Sequence, residues 1–217
     1  MTVITHKQIV ELIKSGELGF KPALDEYQLQ AHSVDFRLGF TFMIPKAWHV
    51  TTKGRESLDL MHFDKLNNNF FDVVELEKGQ YFDLLPQEHI LVSTLESIKV
   101  PHNLMGVLYP RSSTNRKGLS LDLTGIIDSG YEGQLVLPMR NNTKSQVVRL
   151  YPGERICQVV FQELSESVDA RQSKYHNRDV IEGIGREKAE EAELIMSGDI
   201  LGLKEKYAVI KEESVEA

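Results

Sequence analysis

Between Asp72 and Leu164 the chain breaks into eight short apolar runs: DVVEL, QYFDLL, HILVSTL, LMGVLY, LSLDL, GQLVL, QVVRL and ICQVVFQEL. Turn-forming stretches part them, among them EKGQ, LPQEH, RKG, DSGYEG, NNTKS and YPGE. Runs this short leave no room for helices, and their close, regular spacing is that of a sheet winding back on itself. The expected fold is mainly β, a distorted β-barrel or jelly-roll-like sandwich. Upstream, SVDFRLGFTFMIP alternates apolar and polar residues in its first half, which predicts a strand with Val34, Phe36 and Leu38 on one face and Ser33, Asp35 and Arg37 on the other. Residues 48–72, with MHFDKLNNNFFD, predict a long loop or an irregular hairpin.

The two ends differ from this β region. Thr5 and Gln8 fit a capping box, Ile4 and Ile9 a hydrophobic staple, and Gly16 and Gly19 an exit, so a helix is predicted over residues 5–15. The stretch REKAEEAELIMSGDILGLKEKYAVIKEESVEA is rich in Glu, Lys and Ala with apolar residues at helical spacings. It predicts one or two amphipathic helices ending in an acidic tail. The expected organisation is a β domain over residues 1–180 and a helical C-terminal extension over 181–217.

Composition narrows the function classes. Of 217 residues, 41% are apolar, enough for a core, and the net charge of -7 disfavours a nucleic-acid partner. The single Cys157 allows neither a disulfide nor a Cys-rich zinc site within one chain, and reads as a small buried apolar group. The N-terminus lacks the pattern of a signal peptide and no apolar run approaches 18 residues, so no membrane association and a cytoplasmic location are expected.

Four stretches could carry chemistry. YPRSSTNRKG sets Arg111, Ser112, Ser113, Arg116 and Lys117 in what reads as a basic hairpin turn, either solvated or built for a polyphosphate. GIIDSGYEGQLVLP sets Asp128 at a strand end with Tyr131 three residues on. Asp128 reads either as a turn residue or as a carboxylate that orients and deprotonates water. Tyr131 reads either as a cap on the core edge or as a ring lying under a sugar. YPGERICQVVF carries Gln158 on an apolar strand, as a phosphate or partner contact or a plain solvent-face residue. In SVDFRLG, Asp35 and Arg37 suggest an ion pair across a sheet face.

In this order the stretches resemble the trimeric dUTPase and dCTP deaminase superfamily, over roughly residues 1–180. PRSS is similar to its phosphate-binding motif, GIIDSGYEGQL to its water-activating hairpin and PGERICQVVF to the strand after it. AHSVDFRLG and SKYHNRD resemble the deaminase branch. The resemblance implies a dUTPase-like β-clip fold, a homotrimer with active sites between subunits, and Mg²⁺ held mainly by phosphate oxygens and water, with Asp35 supporting such a water. It implies Asp128 as the catalytic group and Arg111, Ser112, Ser113, Arg116 and Gln158 around the phosphates. Tyr131 would lie at the sugar, and backbone groups of the hairpin, Gly133 and Gln134 among them, at the pyrimidine edge. Lys174 or Tyr175, with Arg171, would replace the glycine-rich arm that the hydrolases use and that this chain lacks.

Three features favour hydrolysis over deamination. The family's deaminase relies on a glutamate in a VLE pattern, which here reads VLP with Pro138; proline has no proton to exchange. Ile126 stands where the deaminases place an arginine, and the interval from Arg111 to Asp128 looks like the hydrolase spacing. The expectation is therefore a hydrolase, a dUTP diphosphatase forming dUMP and pyrophosphate. A dCTP deaminase of the same family, mono- or bifunctional, and a non-catalytic nucleotide-binding trimer are the alternatives.

Overall fold

The computed structural model describes residues 2–57, 71–122, 125–168 and 189–209. The chain opens with helix α1 (His6–Ser15) and a short strand β1 (Gly19–Lys21), followed by the long strand β2 (Val34–Pro45). A hairpin of β3 (Trp48–Thr51) and β4 (Gly54–Ser57) precedes β5 (Phe71–Glu75), β6 (Phe82–Leu84), β7 (His89–Lys99) and β8 (Leu104–Pro110). A one-turn helix α2 (Ser112–Arg116) leads to β9 (Leu119–Leu121), β10 (Ile126–Ile127), β11 (Glu132–Asn141), β12 (Val148–Leu150) and β13 (Arg155–Glu163). Helices α3 (Ala189–Ser197) and α4 (Ile200–Lys206) close the described chain.

By contacts the described chain divides into two compact units, residues 2–57, 71–122 and 125–168 in the first and 189–209 in the second. In the first, nine strands form one curled antiparallel sheet in the order β10-β8-β13-β2-β7-β11-β9, with β1 on β7 and β5 on β2. All eight apolar runs become strands. Their inward residues, among them Leu84, Ile90, Met139, Val159 and Phe161, join Phe36 and Phe42 of β2 and Ile98 of β7 in one core of a distorted β-barrel. Ile4 and Ile9 lie in that core, while the Thr5 N–H donates to Gln8 Oε1 at 2.9 Å. The staple and half of the box thus fix the entry of α1, and Gly16 at φ 77° ends it.

Three irregularities shape the sheet where β2, β7, β11 and β13 meet. The register shifts between Leu38 and Phe42 on β2, between Gln134 and Val136 on β11, and between Arg155 and Cys157 on β13. At the first, a Cβ on Gly39 would lie 2.3 Å from Ser93 Oγ, so only glycine lets β2 and β7 approach there. At the second, the Leu135 N–H, displaced from the ladder, donates to Thr94 Oγ1 at 3.0 Å. At the third, the Ile156 carbonyl is freed for other donors.

Two expectations change. Ser33 and Asp35, on the polar face of β2, are both buried: the Asp35 carboxylate lies against Arg111 and Arg155, and its backbone is bonded to Gln28. PRSSTNR is a turn of helix rather than a hairpin turn, since Arg111 in extended backbone caps Ser112–Arg116.

In the second unit, Asp199 caps α4 by accepting the Gly202 N–H at 2.9 Å. Lys206 and the Tyr207 hydroxyl both meet Glu190 Oε2, at 2.9 and 3.2 Å. Ile200 and Leu201 are exposed, so α4 carries apolar residues that this unit does not bury. Among the described residues no helix is long and apolar enough to cross a membrane.

Candidate active site

The first part of the site is built on the end of β8. Pro110 closes the strand, the Arg111 N–H donates to the Ile156 carbonyl at 3.2 Å, and the buried Thr114 hydroxyl donates to the same carbonyl at 2.9 Å. The bulge on β13 therefore anchors α2 from below. Ser112 and Ser113 are left exposed, and their amides open the helix, where no intrahelical acceptor exists. Arg116 is also exposed, and Lys117 pairs with Glu154.

Beneath this turn lies Asp35, 2% exposed. Its Oδ2 meets Arg111 Nε at 3.1 Å and Arg155 Nη1 at 3.2 Å. Burial pushes the Asp35 carboxyl above the ordinary carboxylate range, and Arg111 and Arg155 are the largest opposing influences. The ion pair across the sheet face exists, but Asp35 makes it with Arg155 of the neighbouring strand and with Arg111. Arg37 instead turns to Asp25, at 2.8 Å, and to the Gly153 carbonyl, at 2.6 Å. One carboxylate thus holds two guanidiniums whose remaining N–H groups are partly open to solvent, which suits a multiply charged anion.

A second carboxylate supports the first. Glu96 is 1% exposed and accepts from Gln28 Nε2 at 2.8 Å and from the Arg37 N–H at 2.9 Å. Gln28 also donates to the Asp35 carbonyl at 2.9 Å and accepts the Asp35 N–H on its own carbonyl at 2.8 Å. Burial raises the Glu96 carboxyl above its ordinary range. Gln158, partly buried on β13 between Asp35 and Tyr109, has its Oε1 3.5 Å from the Ser33 hydroxyl. Cys157 beside it is fully buried, and burial pushes its thiol well up.

The second part is the turn that leads from β10, paired with β8, into β11, paired with β7 and β9; the two strands do not pair with each other, so the expected hairpin is a connecting turn. Asp128 is exposed; its carbonyl accepts the Tyr131 N–H at 3.2 Å, and no side-chain hydrogen bond or ion pair engages its carboxylate among the described residues. Tyr131 is buried, its hydroxyl donates to the Gln134 carbonyl at 2.7 Å, and burial pushes the phenol up to about 12. The Gln134 side chain donates to the Thr94 carbonyl at 3.0 Å, and Gly133 sits at φ 150° opposite Ile98. The Tyr131 and Gln134 side chains are thus bonded to backbone carbonyls of β11 and β7. The backbone edge there and Asp128 are what remain for a ligand.

Pro138 sits in the middle of β11 without breaking it. Its carbonyl accepts the Asp122 N–H at 3.0 Å, on the β9 side. N–H and C=O of one antiparallel residue point the same way, so the donor that proline lacks would also have faced β9, where that short strand ends. The pairing with Leu91 of β7 is preserved.

Within one chain, then, Asp35, Arg111 and Gln158 come together under Ser112 and Ser113, and Asp128, Tyr131, Gly133 and Gln134 form a separate wall. No hydrogen bond or ion pair joins the two groups among the described residues. Lys174, Tyr175 and Arg171 lie outside the described residues. Sequence reading missed Arg155, Gln28 and Glu96. Arg155 was legible as a basic residue starting the strand after a Pro-Gly turn, but Glu96 lies 61 positions from Asp35 and only strand pairing joins them.

A divalent cation finds no ready cage. Among the described residues no group of three His, Cys, Asp or Glu side chains could hold one, and the Asp35 carboxylate is already taken by two guanidiniums. Any Mg²⁺ would have to be carried largely by a ligand's own oxygens and by water, its usual preference.

The model of the dCTP deaminase-like family matches residues 3–164. A "dCTP deaminase, dUMP-forming" of Dictyoglomus thermophilum is 33% identical over 183 residues, covering 81% of this chain and 90% of that protein. The protein of the same description from Persephonella marina is 38% identical over 167 residues, covering 77% and 87%. The crystal structure of the 2'-deoxycytidine 5'-triphosphate deaminase from Agrobacterium tumefaciens superposes with a TM-score of 0.57 at 25% identity. That likeness covers 74% of this chain and 48% of the other, so this chain spans about half of it.

These findings overturn the expectation of a dUTP diphosphatase as the principal activity, because the relatives that match most of the chain are deaminases by description. Pro138 removes one proton carrier from β11, and the loss of one carrier is not the loss of the reaction. A strand position can lose its acid while its cross-strand neighbour keeps one.

Proposed function

We propose that this chain, which belongs to the dCTP deaminase-like family, converts dCTP to dUMP, removing the 4-amino group and releasing pyrophosphate. The observation that carries the reading is the likeness, over nearly the whole of each relative, to proteins described as dUMP-forming. The geometry supports it by offering both a polyphosphate cradle and an unpaired carboxylate.

In this reading Arg111, Ser112, Ser113, Arg116 and Gln158 donate to the phosphate chain, and Asp35 holds the Arg111 guanidinium in place. Asp128 positions and deprotonates the water that attacks the α-phosphorus, with the charge that develops on pyrophosphate stabilised by donors already oriented. Tyr131, locked onto the Gln134 carbonyl, supports the deoxyribose side, and the backbone of β11 from Gly133 and Gln134 onward meets the pyrimidine edge. Mg²⁺ supplies charge neutralisation on the triphosphate when bound. The same reading includes a cytoplasmic setting, a homotrimer that brings phosphate donors and Asp128 together from different subunits, and Lys174 and Tyr175 in the closing segment.

A chromatogram after incubation with dCTP and Mg²⁺ tests this: dUMP, pyrophosphate and ammonia should accumulate together. Tight dCTP binding with no product would instead support a non-catalytic nucleotide-binding trimer.

A further inference from the structure

Hydrolytic deamination of a cytosine needs a group that takes a proton from water and delivers protons to ring N3 and to the departing amine. The described carboxylates near the β11 wall differ in their freedom to do this. Glu154 is occupied by Lys117 and by the Tyr151 N–H, at 3.1 Å. Glu132 lies at the first position of β11, opposite Lys99, six residues from Pro138. Asp122 is exposed, and nothing engages its carboxylate among the described residues.

The backbone fixes which way Asp122 faces. Leu121 pairs with Met139, so Asp122 comes opposite Pro138, and its N–H donates to the Pro138 carbonyl at 3.0 Å. Directly opposed residues of an antiparallel pair project from the same face, with Cβ atoms about 5 Å apart. Leu121, Leu137 and Met139 are buried on the core face, so Asp122 and Pro138 share the other one. The proline ring makes a short apolar wall with no hydrogen-bond donor, and the free carboxylate stands beside it.

We propose that Asp122 is the catalytic general acid–base of the deamination, an inference that rests on the deaminase reading above. Asp122 takes a proton from water as the water oxygen bonds to C4, and passes it to N3. It then takes the hydroxyl proton of the adduct and gives it to the amine. The C4–N bond breaks, C4=O forms, ammonia leaves and the carboxylate is restored, so that one water is consumed per ammonia released.

Asp122→Asn in the full chain tests this against three readouts: ammonia from dCTP, pyrophosphate from dUTP, and nucleotide affinity. Ammonia release should fall at least about 100-fold, while dUTP cleavage and dCTP affinity stay within about threefold of the parent, and Asp122→Glu should recover part of the loss. Ammonia release at the parent rate overturns the proposal, as does an equal loss of all three readouts, which would mark Asp122 as merely structural. A parent protein that releases no ammonia from dCTP removes the deaminase reading itself, an outcome visible before any variant is made.

Discussion

The two acidic centres of the site are opposites in construction. Asp35 is buried, touched by two guanidiniums and braced from behind by Gln28, which Glu96 holds in turn; Asp128 is exposed on a turn with no partner for its carboxylate. The first is a finished structural part. Its charges are matched inside the chain, and its work is to hold Arg111 and Arg155 for something more negative than itself. The second is left unmatched, as a group must be if it is to handle water. A carboxylate's surroundings, more than its presence in a motif, separate the group that positions from the group that reacts.

That contrast can be broken by substitution. The largest effect is expected at the unmatched centre: Asp128→Asn should lower pyrophosphate release by about 10²–10⁴-fold, the usual worth of general base catalysis. Because Asp128 is exposed, the melting temperature should stay near the parent value in a calorimetric scan. At the matched centre the pattern reverses. Asp35→Ala strands two guanidiniums, so stability to urea should drop by about 2–3 kcal/mol, below the usual cost of breaking a fully buried pair because both arginines are partly solvated. The KM for nucleotide should rise roughly tenfold with a smaller change in kcat, since the phosphate donors lose their anchor.

A smaller effect sharpens the role of the turn into β11. Tyr131→Phe removes one neutral hydrogen bond to the Gln134 carbonyl, which should cost about 1 kcal/mol in chemical denaturation. If that bond orients the β11 backbone, selection between cytosine and uracil nucleotides should weaken as well. The smallest effect is a pH slope. Glu96 has a raised carboxyl, so from its ordinary value upward the unfolded chain loses this proton before the folded one does. Stability from this group is greatest below the unfolded value and declines as pH rises through the folded value, then levels off. Glu96→Gln should remove that segment from the parent curve when unfolding midpoints are compared across mildly acidic pH.

Much of this was readable from residue order. The strand runs declare the barrel because period and turn chemistry are local, and the cap of α1 is written within six residues, Ile4 to Ile9. Arg111, Ser112, Ser113 and Asp128 stood out because their motifs are short and contiguous. What stayed hidden is set by register. Asp35 is bonded to Gln28 and lies against Arg111, and its partnership with Arg155 depends on a β13 pairing that no local pattern encodes. The choice of hydrolysis failed for the same reason. It rests on Pro138, Ile126 and a spacing, all of them local, whereas Asp122, which faces Pro138, is sixteen positions away and becomes its neighbour only when β9 pairs with β11.

The most direct measurement is the mass of the dUMP formed from dCTP in ¹⁸O-enriched water with Mg²⁺. Two hydrolytic steps on one nucleotide predict two heavy oxygens, one on C4 of the ring and one on the α-phosphate, with one ammonia per dUMP. Unchanged dCTP, or a product labelled on phosphate alone with the amine retained, would contradict the account.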